Sequence, residues 1–162
     1  VPLTDHERKA DENNPHGYYE LQRVKNMAND VKWMAEAEGK SIKIIAQLLP
    51  FLPEKHRYKI IFLEREISEV LISQQLMLGK PREEAIKNYP FKLAQTYFEQ
   101  LERVNQRVEK QPFIEMLTIQ YNEAVNYPEE VAKRIAEFLD RDLNTDKMVE
   151  AVDKKLYRNQ TS

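Results

Sequence analysis

The amino-acid sequence predicts a three-layer α/β/α domain, a small parallel sheet flanked by helices, on three observations. Short runs rich in β-branched and aromatic residues recur at 41–46, 58–63 and 113–119. Apolar runs of that length are how buried parallel strands read. Between them lie segments whose apolar residues return every three or four positions, the spacing of a helix with one buried face. The run at 58–63 also passes at Arg65 straight into such a segment, the strand-to-helix junction from which parallel sheets are built.

Composition bounds the rest. A chain of 162 residues is one domain with enough length for a real core. Its formal net charge of −2 makes no electrostatic case for nucleic acid or an anionic membrane as partner. There is no cysteine, which excludes disulfides, thiolate metal sites and a cysteine nucleophile. The longest apolar run, 42–53, carries Lys43 and Gln47 and is too short to span a bilayer. With no signal-peptide pattern either, a soluble cytoplasmic protein is the default. The Asn159-Gln160-Thr161 sequon reads as chance.

Taken in order, residues 1–22 are charged and punctuated by Asn13, Asn14, Pro15 and Gly17, the composition of a loop. Leu21, Val24, Met27, Ala28, Val31 and Met34 then mark one helix face. Gly39-Lys40-Ser41 imitates the end of a phosphate-binding P-loop, but Met34 stands where that motif needs a second glycine. Such a loop must also open a helix, whereas 41–46 reads as a strand, so the match is a decoy. Pro50 and Pro53 make 47–56 a loop, with His56 at its surface. After the run at 58–63, a helix starts at Glu66, with Ile67, Val70, Leu71, Gln74 and Leu78 on one face. It ends at Gly79-Lys80-Pro81, a stop signal.

Ala85, Ile86, Tyr89, Leu93, Tyr97, Leu101, Val104 and Val108 continue a helical stripe of core residues, which Pro90 must kink or split. The third strand, 113–119, is followed by Tyr121-Asn122-Glu123. Pro128 opens a last long helix at the favoured first position, with Val131, Ile135, Phe138 and Leu139 inward.

Arg65 stands where open α/β sheets bind ligands, at the carboxyl end of a strand beside a helix N-terminus. Ser73 follows two helical turns later, so a guanidinium and a hydroxyl can close on one phosphate. The plain alternative is an ion pair of Arg65 with Glu69. The spacing R-EISEVLI-S after a strand resembles the 3′-phosphate motif of sulfotransferases that use 3′-phosphoadenosine-5′-phosphosulfate. Other stretches resemble the same family: Asp5, Arg8 and Asp11 with NNPHGYYE, the lysine and LP of 43–53, the run from Tyr121 through Pro128 to Phe138-Leu139, and the closing LYRN. The resemblance implies a P-loop NTPase-like fold and transfer of a sulfuryl group to an acceptor hydroxyl or amine, without a metal. It implies Arg65 and Ser73 on the 3′-phosphate, Tyr121 on the adenosine side, and Glu20, or else Glu12 or His16, as catalytic base. For Glu20 a first-turn helix carboxylate is the competing reading. Tyr157 and Arg158 reach a ligand or pin the terminus.

Three departures qualify the match. The catalytic histidine of the cytosolic relatives would fall at Ile45. Asn122 interrupts the usual acid pair after the tyrosine. The family's first strand, 5′-phosphosulfate loop and following helix have no counterpart in a chain with only Gly17, Gly39 and Gly79. An opening Val1 fits an N-terminally truncated fragment, expected to be inactive alone and to cap its open sheet edge as a homodimer. The alternative is a non-catalytic α/β fragment acting through self-association or a partner. A P-loop kinase relative lacks a second basic lid segment.

Overall fold

The structure, a computed structural model, describes residues 2–5, 9–10 and 15–156. The chain forms two compact units, one of Val1–His56 with Gln100–Gln111 and one of Arg57–Glu99 with Pro112–Ser162.

The second unit holds the sheet. Strands β1 (Tyr58–Glu64) and β2 (Ile114–Gln120) pair in parallel. The register runs from Tyr58 opposite Ile114 to Glu64 opposite Gln120, so both strands end level. The chain is thus a mixed α/β protein with a small parallel sheet, two-stranded among the described residues. Helices α1 (Ile67–Met77), α2 (Arg82–Lys87), α3 (Phe91–Glu109), α4 (Tyr121–Asn126), α5 (Pro128–Leu139) and α6 (Thr145–Glu150) follow the chain. The boundary between the units falls within α3.

Helix α5 packs on both strands and on α4 and α6. It is tied to β1 by Lys59, whose Nζ donates to the Phe138 carbonyl at 2.7 Å. Cations suit that end of a helix, where carbonyls lack intrahelical partners. On one face of the sheet Ile119 is buried, but its neighbours Ile61 and Leu63 are 39% and 53% exposed.

Local chemistry explains the helix ends. At Gly79, φ is +81°. There the Gly79 N–H reaches the Leu76 carbonyl at 2.9 Å and the Lys80 N–H reaches Gln75 at 3.1 Å. This is the paired closure that a left-handed residue permits, and only glycine adopts it without strain. Pro90 splits the predicted stripe into α2 and α3 rather than kinking it. Pro128 takes the first turn of α5, and the Asn144 side chain caps α6 by accepting from Lys147 N–H at 2.9 Å.

Several expectations are corrected. Residues 41–46 are no strand: Ser41 makes one isolated parallel bridge with Pro2, and Ala46–Phe51 is a 3₁₀ helix containing Pro50. A β-rich stretch becomes a strand only where a neighbour supplies the ladder. The helix expected over 21–34 is two 3₁₀ segments, Gln22–Asn26 and Lys32–Ala37. Beside a buried Trp33, the buried residues Leu21, Val24 and Met27, then Met34 and Ala37, are spaced by three. That is the 3₁₀ period, in which positions i and i+3 eclipse. Asn26, Asn29 and Asp30 break the run through side-chain hydrogen bonds, Asn29 to Asn26 at 2.9 Å and Lys32 N–H to Asp30 at 3.0 Å.

The buried face of α1 is Glu69, Leu71 and Ile72, with Leu78 and Gln74 exposed. Ile86 and Leu93 are also exposed, outside the core expected of their stripe. His56 is half-buried.

Candidate functional site

Because β1 and β2 end level, the residues that follow them emerge side by side. Arg65 comes straight after β1 and Tyr121 straight after β2. The guanidinium carbon of Arg65 lies 4.8 Å from the Tyr121 ring centroid, a cation–π stack. Across the last rung, Gln120 Nε2 donates to Glu64 Oε2 at 2.6 Å. The next turn of α1 returns Glu69 beneath Arg65, and Arg65 Nε donates to Glu69 Oε2 at 2.9 Å. Glu69 is 4% exposed, the one buried charged residue among those described. The sequence thus flagged the ion pair but not its burial.

Ser73 is half-buried on α1 and lies four residues past Glu69, one turn further along the same helical stripe. The carboxyl end of the sheet therefore gathers Arg65, Glu69 and Tyr121 in direct contact, with Ser73 on the adjoining turn. Beside them, Arg134 of α5 pairs with Glu123 of α4, and Asn122 Oδ1 accepts from the Glu123 N–H at 2.7 Å. The sequence carried no signal for the Arg134–Glu123 contact, which depends on how α4 and α5 pack.

Glu20 belongs to the first unit. It precedes the 3₁₀ segment Gln22–Asn26 and is not a first-turn helix carboxylate. Its loop is held from several sides. The Glu20 carbonyl accepts the Thr4 hydroxyl at 2.7 Å and the Asp5 N–H at 3.4 Å. Lys43 Nζ donates to the Tyr18 carbonyl at 3.0 Å, and the Asp5 carboxylate accepts from Gln22 N–H at 2.6 Å. Between Tyr18 and Glu20, Tyr19 adopts φ +49°, a left-handed conformation rarely taken by a bulky residue. Lys43, Asp5 and the GYYE words thus share one structural feature, which the sequence placed together only by resemblance. His16 is exposed. Glu12, Arg8, Asp11, Tyr157, Arg158 and the 159–161 sequon lie outside the described residues.

At Gly39 the chain turns with φ +72°, and no helix opens at Ser41, as the decoy reading required. Among the described residues no group of histidine, aspartate or glutamate is arranged to hold a metal, and no helix is long and apolar enough to cross a membrane. No family model, no curated protein and no solved structure matches the chain.

Proposed function

We propose that the chain carries the nucleotide-binding part of a sulfotransferase that uses 3′-phosphoadenosine-5′-phosphosulfate as co-substrate. The observation behind this reading is the meeting of Arg65 and Tyr121 at the level carboxyl ends of two parallel strands, where α/β sheets take ligands. A planar cation lying on an aromatic face suits the 3′-phosphate of an adenosine nucleotide. Guanidinium binds phosphate oxygens by parallel hydrogen bonds, and Ser73 on the next turn adds a hydroxyl. Tyr121 lies on the adenosine side.

In the complete reaction, the acceptor hydroxyl or amine attacks sulfur, and the bond from sulfur to the bridging phosphate oxygen breaks. The acceptor's proton passes to a base, for which Glu20 is the candidate, and adenosine 3′,5′-bisphosphate leaves.

The test is calorimetric titration of adenosine 3′,5′-bisphosphate and of adenosine 5′-monophosphate. The wild type should bind the bisphosphate at least tenfold tighter. The double variant Arg65→Met/Glu69→Met, which removes both charges together, should lose that preference. Equal affinity for the two nucleotides in the wild type refutes the proposal.

A second reading is favoured by the exposed Ile61 and Leu63. Parallel sheets are normally covered on both faces, so a two-stranded one with apolar side chains exposed along β1 suits self-association without catalysis. Light scattering of the concentrated chain distinguishes a homodimer from a monomer.

A further inference from the structure

We propose that the N-terminal half of α3 is a homodimer interface, on which a second copy of the chain lays its own α3 antiparallel, about a two-fold axis at Gln95. The contact is independent of the nucleotide reading and uses a surface other than the sheet.

In α3, Ala94, Tyr97, Leu101 and Val104 are half-buried and Val108 is buried, at alternating intervals of three and four. That is the single stripe an amphipathic helix covers. Phe91 and Phe98 lie beside the stripe and are 77% and 56% exposed. Being seven residues apart, they point the same way to within about 20° and stand roughly 10 Å apart along the axis. Both belong to the second unit. Phe91 is held in place, since the Tyr89 ring packs on it edge to face with centroids 4.8 Å apart. A ring fixed in advance loses little freedom on association. Two large rings on one exposed helix face are what an interface buries at its centre.

Charge selects the occupant. Lys92 and Glu99 are exposed, again seven residues apart, and flank the two phenylalanines on one side. The Gln95 side-chain amide donates to Glu99 at 3.0 Å and holds the carboxylate along the helix. A two-fold axis at Gln95 brings each Phe91 within one residue's rise, about 1.5 Å, of the height of the partner's Phe98. The same axis brings each Lys92 equally close in height to the partner's Glu99. Parallel pairing would instead set lysine on lysine and glutamate on glutamate. A carboxylate offers several acceptor sites, so Glu99 can take the lysine beside the contacts it already makes. One cation and one anion leave the face without net charge, and so without attraction for an anionic lipid surface. An isologous contact of this kind closes as a dimer.

Sedimentation equilibrium of the full chain should show a wild-type dimer. Lys92→Glu or Glu99→Lys alone sets like charges together at both symmetry-related contacts and should weaken association roughly tenfold or more. An equimolar mixture of the two variants restores unlike charges at both contacts and should associate within about threefold of wild type. That recovery also shows both variants to be folded. Phe98→Ala should weaken the dimer by roughly tenfold as well.

A wild type that stays monomeric at high concentration overturns the proposal. So does a mixture that fails to recover. A dimer indifferent to both charge variants overturns it too, and leaves the exposed side chains of β1 as the seat of association. Binding of the wild type to phosphatidylcholine vesicles, lost in Phe98→Ala, would give the face to lipid and overturn the dimer.

Discussion

Truncating Arg65 to alanine should destabilise the second unit well beyond what a surface ion pair would cost. The side chain removed is 23% exposed, and the carboxylate it leaves behind is 5% exposed. Breaking a buried pair from one side typically costs about 3–5 kcal/mol. Water reaches the arginine end, so the low end of that range, about 3 kcal/mol, applies to the charge. Loss of the stack on Tyr121 contributes up to about 1 kcal/mol more. An internal control exists in Arg23 and Glu36, 2.7 Å apart against 2.9 Å for Arg65 and Glu69, but with side chains 54% and 66% exposed. Arg23→Ala should cost less than about 1 kcal/mol.

The assay is urea unfolding followed by far-ultraviolet ellipticity, with Arg65→Met, Glu69→Met and the double variant completing a mutant cycle. The double variant should be more stable than the sum of the single losses implies, because their mutual interaction is then removed once and not counted twice. Two results would refute the reasoning: Arg65→Ala no worse than Arg23→Ala, or single losses that simply add.

Three further outcomes are expected. The purified 162-residue chain should not turn over labelled 3′-phosphoadenosine-5′-phosphosulfate, because its sequence has no counterpart of the phosphosulfate loop and each lost donor costs about 100- to 1,000-fold; release of labelled sulfate to any acceptor contradicts this. Gly79→Ala should lower stability by about 1 kcal/mol in urea, since φ is +81° while no neighbouring atom lies within 4 Å of an added Cβ, and Gly79→Asn should lose less. Burial pushes the Tyr58 phenol from its ordinary 10.0 up to about 12. The folded form then holds its proton where the unfolded chain releases it, so stability is retained below pH 10 and falls between pH 10 and about 12. Tyr58→Phe should flatten that part of the wild-type pH profile, and identical profiles would remove the assignment.

How much of this was legible in the sequence follows from what each feature depends on. Tyr58–Glu64 and Ile114–Gln120 could be found because each has a partner of matching apolar character; the stretch at 41–46 has the same composition but no ladder beyond one bridge. Spacing at 21, 24 and 27 fits periods of 3.0 and 3.6 equally well. Only the next residue separates them: Ala28, inward in an α-helix, is exposed. The i, i+4 relation of Arg65 and Glu69 is written in the chain, yet its consequence turns on burial, which is a property of the packing. Leu78 illustrates the converse. Its helical spacing is correct, but it falls on the terminating turn and stands exposed.

The site itself follows the same division. Arg65 and Tyr121 are each one residue past a strand, and a sequence shows that much. That they meet is a consequence of register: Glu64 is opposite Gln120 across a separation of 56 residues. A slip of one residue would move Tyr121 along the strand by about 3.3 Å and turn the strand's side chains to the other face. The stack on Arg65 would then be lost, while the carboxylate of Glu69, fixed on α1, would remain. A register error thus removes the stack alone, whereas loss of Arg65 removes the stack and the Glu69 contact together. The hydrogen bond from Gln120 to Glu64 closes the rung just before the site, and its removal by Gln120→Ala should weaken the stack without touching either aromatic or guanidinium. Loosening of Arg65 Nε–H protection in that variant would show that strand pairing, as well as Glu69, sets the arginine. Unchanged protection would assign the orientation to Glu69 alone.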